Sequence, residues 1–152
     1  FVGPIGQKAA FPHLLKEIEN GLEIEKANLF FVHYLVPHIP YSWDENCKFN
    51  GTIESKGKFF QFRFQNNEER IIQHNIERNC VVAYLDIFLE NLIKKEYWSD
   101  LEILLLSDHG SRLLKQNKNV YVSIFAAKTK NISPGLKEDK VTTNYLFYKL
   151  NN

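Results

Sequence analysis

The sequence contains no methionine and only two cysteines, Cys47 and Cys80, in 152 residues. So few thiols, with no CxxC spacing, exclude a disulfide framework and a thiolate zinc ribbon. The two could pair in an oxidising compartment, although unrelated thiols are the expectation. Excess charge is missing too: 19 basic and 18 acidic residues leave a net +1, with no basic block. A nucleic acid or other polyanionic partner is therefore not expected. No apolar run approaches the roughly 20 residues of a membrane span. Neither GxGxxG nor GxxxxGK[ST] occurs, which removes the usual nucleotide-binding loops. The absence of methionine extends to position 1, where Phe1-Val2-Gly3-Pro4 stands. The expectation is a processed chain, an excised domain or the ordered part of something longer.

What is present is apolar and aromatic: 44% hydrophobic and 14% aromatic residues make a globular chain. Residues 1–10, with Gly3, Pro4 and Gly6, read as an irregular lead-in, and residues 11–26 as an amphipathic helix faltering at Asn20-Gly21. The run Leu29-Phe30-Phe31-Val32 with Tyr34, Leu35 and Val36 predicts a strand over 27–36 buried on both faces. It contains His33, expected as a core histidine. Residues 42–64 read as a long loop. A crossover helix follows from Asn66 or Asn67 to about residue 95, with Glu68 and Glu69 in its first turn and Ile72, Ile76, Cys80, Ala83 and Ile87 as its apolar stripe. Strands are predicted near 101–106 and over 120–127, and a closing helix over 141–150. Strands alternating with helices give the expected class, an α/β domain over 1–152 with a mainly parallel sheet and flanking helices.

Two strand ends carry the chemistry. Leu104-Leu105-Leu106 stops abruptly at Ser107-Asp108-His109-Gly110, where Gly110 allows the chain to turn a carboxylate and an imidazole toward one point. Such a pair makes half of a zinc or manganese site. The earlier run ends in Pro37-His38-Ile39-Pro40-Tyr41, and two prolines so close force the backbone out of any sheet. His38 is thus held on a stiff loop. Parallel strands would bring both loops to one edge. Arg112, two residues past Gly110, could pair with an anion. Lys115 and Lys118 read as solvated, His74 and Asn75 as packing or capping residues, and His13 has no evident partner.

In order and separation, Phe31 to Tyr41, Trp43-Asp44-Glu45-Asn46, Gln73-His74-Asn75 and Ser107-Asp108-His109-Gly110-Ser111-Arg112 resemble the sulfatase and alkaline phosphatase superfamily, in its sulfatase-like and phosphoglycerol- or phosphoethanolamine-transferase branches. The resemblance covers most of the chain from about residue 27 and matches the carboxyl-terminal half of that family's catalytic domain. It implies a partial alkaline-phosphatase-like domain in which Asp108 and His109 are metal ligands and His38 contacts the sulfate or phosphate group or the leaving oxygen. It also implies a divalent zinc, manganese or calcium ion, weakly held or absent in this chain alone, and a small-molecule, glycan or lipid sulfate or phosphate ester as substrate. The family's nucleophile and further acidic ligand belong to an amino-terminal half with no counterpart here. The expected partner is therefore that missing half, or a second copy across the exposed sheet face. The expected location is extracytoplasmic, tethered through an upstream segment. The alternative is a degenerate, non-catalytic domain of the same fold used for binding or assembly.

Overall fold

The computed structural model describes residues 4–22, 29–50, 67–108, 110, 125–130 and 135. They form α1 (Pro4–Leu22), α2 (Asn67–Ile93), a single 3-10 turn (Glu96–Asp100), β1 (Ile103–Leu106) and β2 (Phe125–Lys128). The chain divides into two compact units, Phe1–Lys95 and Glu96–Asn152.

In the first unit α1 begins at Pro4, whose missing N–H and fixed φ suit a first helical position, so the lead-in is already helical. Pro12, further along, lacks the N–H that would bond the carbonyl of Lys8. The helix buries Lys8, Phe11, Leu15 and Glu19, spaced three and four apart. α2 confirms the long helix expected from the sequence, with Glu68 and Glu69 in its first turn. Its buried stripe keeps Cys80 from the expected set but otherwise shifts. Ile72 and Ile87 are more than half exposed, while Glu77, Cys80, Phe88 and Leu92 are buried. That face carries Glu77, paired with Lys8 of α1, and Cys80, bonded to Cys47. The two helices pack on each other, and Glu19 closes their far ends with Lys95 at 3.5 Å and Asn91 Nδ2 at 3.5 Å.

Between the helices lies an aromatic cluster. Phe11 meets Tyr34 edge-on at 4.9 Å between centroids, and Trp43 at 5.9 Å. Trp43 meets Tyr84 at 5.5 Å. Pairs of this kind add about 0.5–1.5 kcal/mol each beyond the area they bury.

The buried parallel strand expected over 27–36 is not found among described residues 29–36, which run without regular structure. Leu29 and Phe31 are 86% and 87% exposed, and His33 is exposed rather than a core histidine. Tyr34 reaches the aromatic cluster. Phe30 instead passes over Gly21, where a Cβ would lie 2.9 Å from its ring.

The second unit corrects the fold class. β1 and β2 pair antiparallel, with Ile103 opposite Lys128 and Leu106 opposite Phe125, and this is a two-stranded sheet. The described chain is therefore helix-rich with a small antiparallel sheet, not an α/β domain with a mainly parallel sheet. A parallel sheet needs crossover connections between hydrogen-bonded strands, and the described residues 29–50 before α2 contribute no strand to a sheet. β1 is partly buried, with Leu106 47% exposed. Lys128 braces its start, donating to Leu101 O at 2.6 Å and lying 4.6 Å from the centre of the Trp98 ring. Of the strand expected over 120–127, residues 125–127 lie in β2 and 120–124 lie outside the described residues. The closing helix expected over 141–150 lies outside the described residues, as do 51–66. No described helix is long and apolar enough to cross a membrane.

Candidate functional site

The segment from Pro37 to Asn50 is built against one face of α2. Gln73, Glu77, Cys80 and Tyr84 follow one another at helical spacing, and each holds a different part of it. Gln73 Nε2 donates to Trp43 O at 2.8 Å. Glu77 Oε1 accepts from the amides of Ser42 and of Trp43, the latter at 3.0 Å. Cys80 is disulfide-bonded to Cys47, with Cα atoms 5.2 Å apart, and Tyr84 Oη donates to Cys47 O at 2.9 Å.

The two thiols are thus a pair, contrary to the sequence expectation of unrelated cysteines. A turn brings them together: Cys47 N donates to Asp44 O at 2.9 Å, and Cys47 adopts a positive φ of 58°. The Asp44 carboxylate closes that turn, accepting from the amides of Asn46 at 2.9 Å and Lys48 at 2.9 Å, and from Asn50 Nδ2 at 3.1 Å. These donors, led by the Lys48 amide, hold Asp44 below the usual carboxylate range. The start of the long loop expected over 42–64 is therefore a tight turn.

His38 stands at the other end of the segment. The Val36-Pro37 and Ile39-Pro40 bonds are both cis. The imidazole is exposed, and its Nδ1 bonds Ile39 O. A carbonyl can only accept, so Nδ1 carries the proton, and Nε2 of the neutral ring is the nitrogen able to take a proton or a hydrogen bond. The backbone beneath it is pinned by Lys8, whose Nζ donates to His38 O and Pro40 O. Lys8 Nζ lies 2.7 Å from Glu77 Oε2, and both side chains are fully buried. Burial pushes the Lys8 ammonium below its usual value, and the Glu77 charge opposes that shift. Neither residue stood out in the sequence. The available signal was positional: Lys8 sits three residues before Phe11 and seven before Leu15, on the apolar stripe of α1.

His74 packs beside this segment, half-buried, with Nδ1 3.4 Å from Tyr41 Oη. Burial first, and Arg78 second, lower its pKa from the ordinary 6.5. A histidine kept neutral in the folded state contributes stability above its unfolded pKa and loses it as pH falls toward the depressed folded value. The urea midpoint should therefore decline as pH drops below about 6.5, and His74→Gln should flatten that decline in denaturation curves recorded across the range. His13, without a partner in the sequence reading, lies 3.9 Å from Glu17, with both side chains exposed.

Asp108 lies in the second unit, exposed on a bend two residues past the end of β1. His109, Arg112, Lys115 and Lys118 lie outside the described residues. His38 and Asp108 thus belong to different units. Among the described residues, no group of three or more His, Cys, Asp or Glu side chains is placed to hold a metal ion. No family model, curated protein or solved structure matches the chain.

Proposed function

We propose that the chain is part of a metal-dependent sulfatase-like hydrolase or phosphoryl-group transferase acting on a sulfate or phosphate ester. The observation that carries this reading is His38: an exposed imidazole on a loop whose backbone is fixed from below by buried charges. Solvent-facing polar groups on a rigidly held loop are what a substrate contact requires. The residue order, with His38 in one loop and Asp108-His109-Gly110 after β1, supports the family resemblance.

Asp108 and His109 offer a carboxylate and an imidazole, a donor set that suits zinc or manganese. They supply two of the three or four protein ligands a tight site uses, and the remaining ligands and the nucleophile would come from the amino-terminal part of the protein. When bound, the ion would polarise the ester as a Lewis acid. With Nε2 protonated as well, His38 would donate to the anionic group or the leaving oxygen, holding developing charge or passing that proton to it. Arg112 would pair with the same anion. The Cys47–Cys80 bond supports an extracytoplasmic location, since disulfides persist in oxidising compartments.

The test is cleavage of p-nitrophenyl sulfate and p-nitrophenyl phosphate by the protein that carries this chain, supplied with zinc or manganese. His38→Ala should lower kcat about a hundredfold, as loss of one charge-stabilising donor does. Activity indifferent to that change would count against the assignment of His38.

The exposed apolar side chains of Leu29 and Phe31 favour a second reading, a non-catalytic domain used for binding or assembly. It would be recognised by a protein that shows no ester cleavage yet sediments as a dimer.

A further inference from the structure

Lys8 and Glu77 are costly as a pair, because two charges taken out of water lose their hydration, and two apolar side chains would join α1 to α2 at least as well. What apolar side chains could not do is hold backbone. Among the described residues, the hydrogen bonds of this pair beyond the contact between them go to one short segment. Lys8 reaches the carbonyls of His38 and Pro40, and Glu77 reaches the amides of Ser42 and Trp43. One charged pair thus fixes the chain from the histidine itself to the fifth residue beyond it, from two different helices.

We propose that Lys8 and Glu77 are positioning residues for His38, clamping residues 38–43 so that the exposed imidazole waits in one place for the ester group. The inference rests on the reading of His38 as the residue that contacts sulfate or phosphate. A loop ordered before substrate arrives does not have to be ordered by it, and that is the gain of preorganisation. Neither residue touches substrate in this account; both act through the backbone of His38.

Nuclear magnetic resonance relaxation on the whole chain tests the clamp. The double variant Lys8→Met, Glu77→Leu removes both charges and leaves no buried ion uncompensated, so the helices keep their packing. Its order parameters at the amides of His38, Ile39 and Tyr41 should fall from about 0.85 to below about 0.6, while those of α2 hold. The His38 Cε1–Hε1 signal should move to the position of a freely rotating histidine. Glu77→Gln keeps an acceptor for the two amides but leaves Lys8 without its counter-charge, and it should loosen the Ile39 and Tyr41 amides, whose peptide planes carry the two carbonyls that Lys8 holds.

A merely structural pair would lower the unfolding midpoint and leave loop order in the folded molecules untouched. Unchanged order parameters at residues 38–41 in either folded variant would therefore overturn the positioning role. No ligand is added, so failure of the function reading shows up separately, as absent metal binding or ester cleavage in a protein whose loop is still clamped.

Discussion

Glu77→Ala should destabilise the first unit by about 3–5 kcal/mol, the penalty for breaking a buried ion pair from one side. Glu77 is fully buried. Its loss leaves the Lys8 ammonium without a counter-charge and the amides of Ser42 and Trp43 without the acceptor they share. That loss is a large fraction of the 5–15 kcal/mol typical of a folded domain, so the variant should be largely unfolded at modest urea, as read by the far-UV ellipticity of α1 and α2. The double variant Lys8→Met, Glu77→Leu should cost less than Glu77→Ala, because it removes both charges and leaves none stranded. A cost for Glu77→Ala below about 1 kcal/mol would show that the pair behaves as an exposed one.

Reducing the Cys47–Cys80 disulfide should cost about 3–4 kcal/mol by chain entropy, since the bond closes a loop with a sequence separation of 33. The bond also holds the turn made by Asp44 against α2, so its loss should be felt at Trp43 as well as in the urea midpoint. Reduction is cleaner than Cys80→Ser, which would bury a hydroxyl at a position only 1% exposed. Urea curves with and without dithiothreitol measure the effect, and the oxidised protein should show no titratable thiol. Coincident curves would mean that the bond constrains nothing in the unfolded chain.

Much of this chain was legible where local rules decide. α2 could be read from its acidic first turn and the spacing of its apolar residues. The departure of residues 37–41 from regular structure followed from Pro37 and Pro40, because proline removes donors whatever surrounds it. The run from Leu29 to Val36 misled for a physical reason: an unbroken apolar stretch signals a wish for burial, not a partner strand, and whether a partner exists is decided elsewhere in the chain. With that strand gone, the parallel sheet went too, and the surviving ladder is antiparallel.

The site divides in the same way. His38 and Asp108 are recognisable by their loops. Lys8 and Glu77 are not, because a lysine in an early helix and a glutamate on a charged one usually face water. Only the tertiary contact between helices turns them into a clamp. The disulfide was equally hidden, since the Asp44 turn that carries Cys47 to α2 depends on backbone bonds that no spacing announces.

Calorimetric titration with zinc and manganese decides whether Asp108 and His109 are half of a divalent-metal site. It should be run on this chain and on the protein that carries it, each beside an Asp108→Ala, His109→Ala variant. Tight binding by the protein, weak binding by the chain alone, and loss of both in the variant are the expected results. A protein that binds neither metal, or a variant that binds as well as the unaltered form, would contradict that assignment and leave the Asp-His-Gly turn as structure alone.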